Sequence, residues 1–189
     1  MNNTVLTGAA AQHMSAEDMG KARHYLAQSR DELLEAVSGL SEAQWRFKPT
    51  PNCWSIADNL EHLVIVSKMF ERRMTHDFSQ GAPPEGDLRS NDFVIVAKGH
   101  DRSRKFQTPP PGLPTGRASA EELVDAFRAA CRQTASFLES TPDLRQHTMP
   151  HPAIGVLDGY QWLLIVISHW HRHRLQVLEV KAHPDFPLN

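Results

Sequence analysis

Residues 160–181 read YQWLLIVISHWHRHRLQVLEVK, and their period decides the fold. At 3.6 residues per turn, Val166, His169, His173, Gln176, Val177 and Val180 fall within about 60° of Trp162. One face of a single long helix therefore carries apolar anchors together with two histidines and a glutamine. His171 falls about 180° away, with Leu164 and Leu178 for neighbours. His183 and Pro184 end the helix.

Working back, TPDLRQHTMPHPAIGVLDG (141–159) is turn-rich and reads as a loop. Before it, Ser119 with Glu121 and Glu122 predicts a helix start, and Leu123, Phe127, Ala130, Thr134 and Phe137 give a stripe running to about Glu139. Ser79 to Ala118 holds GAPPEGD and TPPPGLPTGR, which proline keeps from continuing a helix. A connection so long is more often a lid or a crossover than idle, and FVIVAK within it suits a short strand or a helical turn equally. Ser55 as N-cap with Asp58 three residues on predicts a helix from Ile56 to Phe78, with a core face of Ile56, Leu60, Leu63, Ser67, Phe70 and Met74. A turn-rich segment with Trp45, Phe47, Pro49, Pro51 and Trp54 precedes it. Ser15, Glu17 and Asp18 open the first helix, whose stripe of Leu26, Leu33, Val37 and Leu40 is stopped by Gly39. Four amphipathic helices with one long crossover between the second and third make an all-α, four-helix bundle.

The 189 residues suit one domain, taken as 15–183 behind a flexible start at 1–14. Lys+Arg 20 against Asp+Glu 22 gives a net charge of -2, without the basic footprint of a nucleic-acid or membrane-surface binder. Two cysteines, Cys53 and Cys131, are too few and too far apart to suggest a disulfide framework or a Cys-rich zinc site, and no apolar run reaches the ~18 residues of a membrane span. A cytoplasmic protein without nucleic-acid or membrane partners is expected.

The i, i+4 pair His169 and His173 sets two imidazoles side by side, as two ligands of one metal require. His62, at the border of its helix's stripe near Val66, is the candidate third ligand. Three neutral imidazoles leave an open position at which a bound water or thiol is acidified. Gln176 and Asp58 are candidates to orient the ligand rings, although Asp58 also suits plain helix capping. His151 is a candidate for the site's rim; His76, His100 and His147 read as solvent-exposed. Cys53 lacks the surroundings of a cysteine nucleophile, so no nucleophile is assigned to the protein. The run Arg102, Arg104, Lys105 reads as a solvated loop, with substrate-carboxylate binding the lesser option.

NCWSIADNLEHLVIVSKMF (52–70), KFQTPPPGLPTGR (105–117) and HPAIGVLDGYQWLLIVISHWHRHRLQV (151–177) resemble successive blocks of the DinB-like superfamily, which includes YfiT-type metal-dependent hydrolases and thiol-dependent transferases. The likeness runs from about Ser15 to Val180. It implies a four-helix bundle with a long crossover, commonly a homodimer, whose zinc or nickel is held by one histidine of the second helix and two of the last. Those positions match His62, His169 and His173. The leading expectation is a metal-dependent transferase that passes a low-molecular-weight thiol, such as bacillithiol, mycothiol or glutathione, to a small electrophile in detoxification. The alternatives are a metal-dependent hydrolase of a small ester or amide, and a non-catalytic dimeric bundle whose metal is structural or absent.

Overall fold

The computed structural model describes residues 13–103, 105–152 and 154–188; positions 1–12 of the expected flexible start, and Arg104, lie outside them. Helices run over Ala16–Ala36 (α1), Glu42–Arg46 (α2), Ile56–His76 (α3), Asp92–His100 (α4), Ala120–Ser140 (α5) and Gly159–Lys181 (α6). All four long helices begin with a reciprocal capping box: Ser15 with Asp18, Ser55 with Asp58, Ser119 with Glu122, and Asp158 with Gln161. Each box satisfies two backbone N–H groups that the first turn would otherwise leave without partners.

The long helices close a ring in which α1 and α3 each lie against both α5 and α6. Arg23 pairs with Glu139, joining the start of α1 to the end of α5, so these two run antiparallel. Lys181 Nζ donates to Ala36 O, joining the ends of α1 and α6, which run parallel. Trp170 Nε1 donates to Ser67 Oγ while Arg73 lies over the Trp162 ring, so α3 and α6 are antiparallel. Glu61 accepts from Thr115 and Gly116 just before α5, and Phe70 meets Phe137 edge-on, which makes α3 and α5 parallel neighbours. Parallel neighbours cannot be joined by a tight turn. The chain must climb back along a 21-residue helix, about 31 Å, and this return is the physical reason for the long crossover.

Within the crossover FVIVAK resolves as helix: it forms most of α4, which rides on α6 with Ile95 buried. Gly99 lies against α6, and a Cβ there would collide with Ser168. Other differences are local. The second long helix ends at His76 and tightens into a 3₁₀ turn at Phe78–Gln80 instead of reaching Phe78. The short α2 occupies part of the turn-rich segment, with Trp45 buried. The 141–159 loop contains an antiparallel hairpin, β1 (Thr148–His151) against β2 (Gly155–Asp158). Gly155 at its turn has φ +98, which glycine adopts without steric cost.

The expected stripe of α3 is buried throughout, and that of α5 is buried except for the partly covered Phe137. α6 is flanked by α1, α3 and α4, so its apolar residues are needed on nearly every side. Beside its N-terminus lies Arg145, fully buried, bonded to Asp158 (2.9 Å), Asp92 (2.6 Å) and Asp18 (3.2 Å) and stacked on the Tyr160 ring. One guanidinium thus ties the starts of α1, α4 and α6 together. Among the described residues no helix is long and apolar enough to cross a membrane.

Candidate metal centre

Two antiparallel helices bring the three histidines together. His62 stands near the capped start of α3, and His169 and His173 stand one turn apart on α6. His62 and His173 are buried and His169 is half-buried. One ring nitrogen from each lies within 4.8 Å of the others, and His62 Nε2 is 2.9 Å from His169 Nε2. Imidazole nitrogens at tetrahedral positions about 2.0–2.1 Å from a cation would sit ~3.3 Å apart. The donor set therefore fits a divalent cation that takes imidazoles, with His62 and His169 parting by a few tenths of an ångström.

The outer face of the centre comes from places the helical phase could not indicate. His62 Nδ1 is 2.7 Å from Gly112 O in the crossover; a carbonyl only accepts, so the proton sits on Nδ1 and the Nε2 lone pair faces the other rings. His173 Nδ1 is 2.7 Å from Asn59 Oδ1 across the α3–α6 interface. Trp54, immediately before the α3 cap, packs against His62 at 4.8 Å and stacks on His173 with an interplanar angle of 20°. A Cβ on Gly112 would press into Thr108 and touch the His62 ring, so the close approach of this loop suits glycine.

Electrostatics keep the rings neutral. Burial lowers the His62 pKa, against the pull of Gly112 O. Burial, then the neighbouring His62 and Arg172, bring His169 down to about 3, and burial with the other two rings, Arg102 and Arg172 lowers His173 well below its ordinary value. Desolvation penalises the charged form, which leaves lone pairs for a cation at neutral pH. Among the described residues no carboxylate is hydrogen-bonded to any of the three rings.

The other candidates fall elsewhere. Asp58 does not hold His62; its carboxylate accepts from Ser55 N and pairs with Lys48 at 2.7 Å. The capping role wins because the cap's N–H groups are closer at hand than a ring one turn on. Gln176 makes no hydrogen bond to the rings among the described residues; Asn59 occupies the outer nitrogen of His173 instead. His151 packs on Trp162 at 4.9 Å, and Trp162 lies about 10 Å along α6 from His169, so it does not line the centre. His100 is not solvent-exposed but half-buried, bonded to Tyr25 Oη and stacked on His171 at 3.9 Å. His147 is likewise half-buried, against Phe78 and Gly81 O, and His76 is exposed. Cys53 is half-buried, accepting from the Thr50 hydroxyl. Arg102 pairs with Glu179, and Arg172 donates to Asp101 O with Phe106 beneath it. A groove of about 330 Å³ between the end of α1 and the start of α5 includes none of the histidines.

Comparisons with known proteins agree with this architecture. The chain is 26% identical over 159 residues to YuaE of Bacillus subtilis (strain 168), covering 82% of this chain and 93% of that protein. Its structure is similar to that of YfiT from Bacillus subtilis, described as a probable metal-dependent hydrolase with an unusual four-helix bundle topology. The TM-score is 0.57 at 14% identity, over 92% of this chain and 91% of YfiT, a likeness of fold. The family match spans residues 25–177, taking in all three histidines and the crossover whose carbonyl holds His62, and with it the chain belongs to the DinB superfamily.

Proposed function

We propose that the protein is a metal-dependent enzyme that transfers a low-molecular-weight thiol to a small electrophile. The observation that carries this reading is the donor set: three neutral imidazoles converging within 4.8 Å. A divalent cation held by His62, His169 and His173, zinc or nickel on the family resemblance, supplies a Lewis acid that lowers the pKa of a thiol or water at the open position.

The surroundings favour the thiol. An ordinary thiol with pKa ≈ 8.5 needs little help to ionise at neutral pH, and its thiolate is the nucleophile. Water activation draws more on a positioned general base, and the rings' hydrogen-bond partners here are a backbone carbonyl, an amide and one another. The chain's own residues do the orienting. Gly112 O and Asn59 Oδ1 turn the lone pairs of His62 and His173 inward, and Trp54 covers the rings. In the reaction the thiol gives its proton to solvent, its sulfur forms the new bond to carbon, and the leaving group departs with the electron pair.

The test is elemental analysis of the purified protein, followed by model electrophiles offered with and without bacillithiol, mycothiol or glutathione. Turnover that needs both metal and thiol supports the reading. Turnover without thiol assigns hydrolysis of a small ester or amide, and a metal-free protein inert in every arm overturns both.

A further inference from the structure

We infer that Asn59 is a positioning residue for the centre: its side-chain amide fixes which nitrogen of His173 faces a cation. The inference rests on the metal-binding reading above. Asn59 is fully buried within a bundle helix, where a polar side chain is costly unless both ends of its amide are satisfied. Both are. Nδ2 donates to Ser55 O at 2.8 Å, which fixes the orientation of the amide, and Oδ1 then points at His173 Nδ1, 2.7 Å away.

An amide oxygen can only accept, so Nδ1 of His173 must carry the hydrogen and Nε2 keeps its lone pair. Without that partner the neutral ring could hold its proton on either nitrogen, and the Nε2–H form offers a cation no lone pair on the side turned away from Asn59. Asn59 also links two devices. Ser55, which holds it, is the α3 N-cap closed by Asp58, and Trp54 before the cap stacks on the same His173 ring. The stretch Trp54–His62 therefore supplies a ligand, the orienter of a second ligand and the cover over both. An amide does this without adding negative charge, so the cation keeps its full attraction for an anion such as a thiolate.

The full-length protein tests this in two ways. In the metal-free protein, ¹⁵N NMR of the imidazoles should show His173 in the Nδ1–H tautomer; the Nε2–H tautomer would overturn the inference. Asn59→Leu, checked for fold by circular dichroism, should weaken cobalt(II) binding by about 10–100-fold and alter the cobalt ligand-field spectrum. Asn59→Asp restores an acceptor and should recover most of that loss. A folded Asn59→Leu protein with unchanged affinity and spectrum would make Asn59 a mere buried plug and overturn the inference. If the leucine variant does not fold, the wild-type tautomer decides. Wild-type protein that takes up no cobalt would sink the metal-binding reading itself, an outcome distinct from equal binding by wild type and variant.

Discussion

The bundle holds two buried polar clusters about 16 Å apart along α6, judged from Asp158 and His169, and they are built on opposite principles. Around Arg145 every charge faces an opposite one: Asp18, Asp92 and Asp158 share a single guanidinium. Around His169 three neutral rings face each other, with His62 and His169 sharing a hydrogen bond between their Nε2 atoms. The first cluster is saturated from within and holds helices together. The second is held from outside, by Gly112 and Asn59, so that its inner atoms are left for something else. A buried polar group is thus a brace or a binding site according to where its partners stand, and burial alone does not distinguish the two.

Mutation should separate them, the largest effect falling on the brace. Arg145→Met leaves three carboxylates without their shared guanidinium and should cost roughly 3–5 kcal/mol in denaturant unfolding, while the folded fraction should bind cobalt(II) as the wild type does. Loss of binding in that variant would mean the clusters are coupled. His169→Ala should do the reverse: cobalt(II) affinity falls by more than the roughly 10–100-fold typical of an outer partner, with the apo protein's melting temperature little changed.

Acid should discriminate next. The rings' folded pKa values lie below the unfolded 6.5, so below pH 6.5 the unfolded chain binds more protons and stability falls as pH drops, down to about 3 for His169. Each ring contributes at most about 1.4 kcal/mol per pH unit in that window. Asp18 behaves differently. Burial alone would raise its pKa, but Arg145 and the Ser15 N–H hold it below 3.8, so its contribution is lost only in stronger acid. Thermal melts of the apo protein between pH 7.5 and 5 should therefore report the histidines, and His169→Phe should flatten the trend. The smallest effect belongs to the half-exposed Arg102–Glu179 pair beside the centre, where Arg102→Gln should cost no more than about 1 kcal/mol in thermal stability.

Much of this was legible in the sequence, for a definable reason. Capping serines and apolar stripes are local signals, so α1, α3, α5 and α6 could be placed from Ser15, Ser55, Ser119 and the Trp162 face. The face shared by His169 and His173 is equally local. The orienting partners were not legible, because Asn59 meets His173 across 114 residues and Gly112 meets His62 across 50. Helical period names neighbours on the same helix, which is why Asp58 and Gln176 drew attention and Asn59 did not. Asn59 left one faint trace, a weak helix former three residues before a candidate ligand. The Arg145 brace was hidden in the same way, its partners coming from three other segments. FVIVAK was ambiguous because its apolar residues neither alternate nor run long enough to show a helical period.

The parallel run of α3 and α5 also sets a timetable. His62 and His169 are separated by 107 residues of chain, most of it the crossover, α5 and the hairpin segment. At synthesis rates of about 5–20 residues per second, a growing chain waits roughly 5–20 s between making the first candidate ligand and the second. Through that interval His62 has no partner histidine on α6 beside it, and Gly112 reaches it only when the crossover has returned. A cation met early would find a single imidazole with little hold on it, so on the proposed reading metal uptake would follow assembly of the bundle and could not guide its first steps.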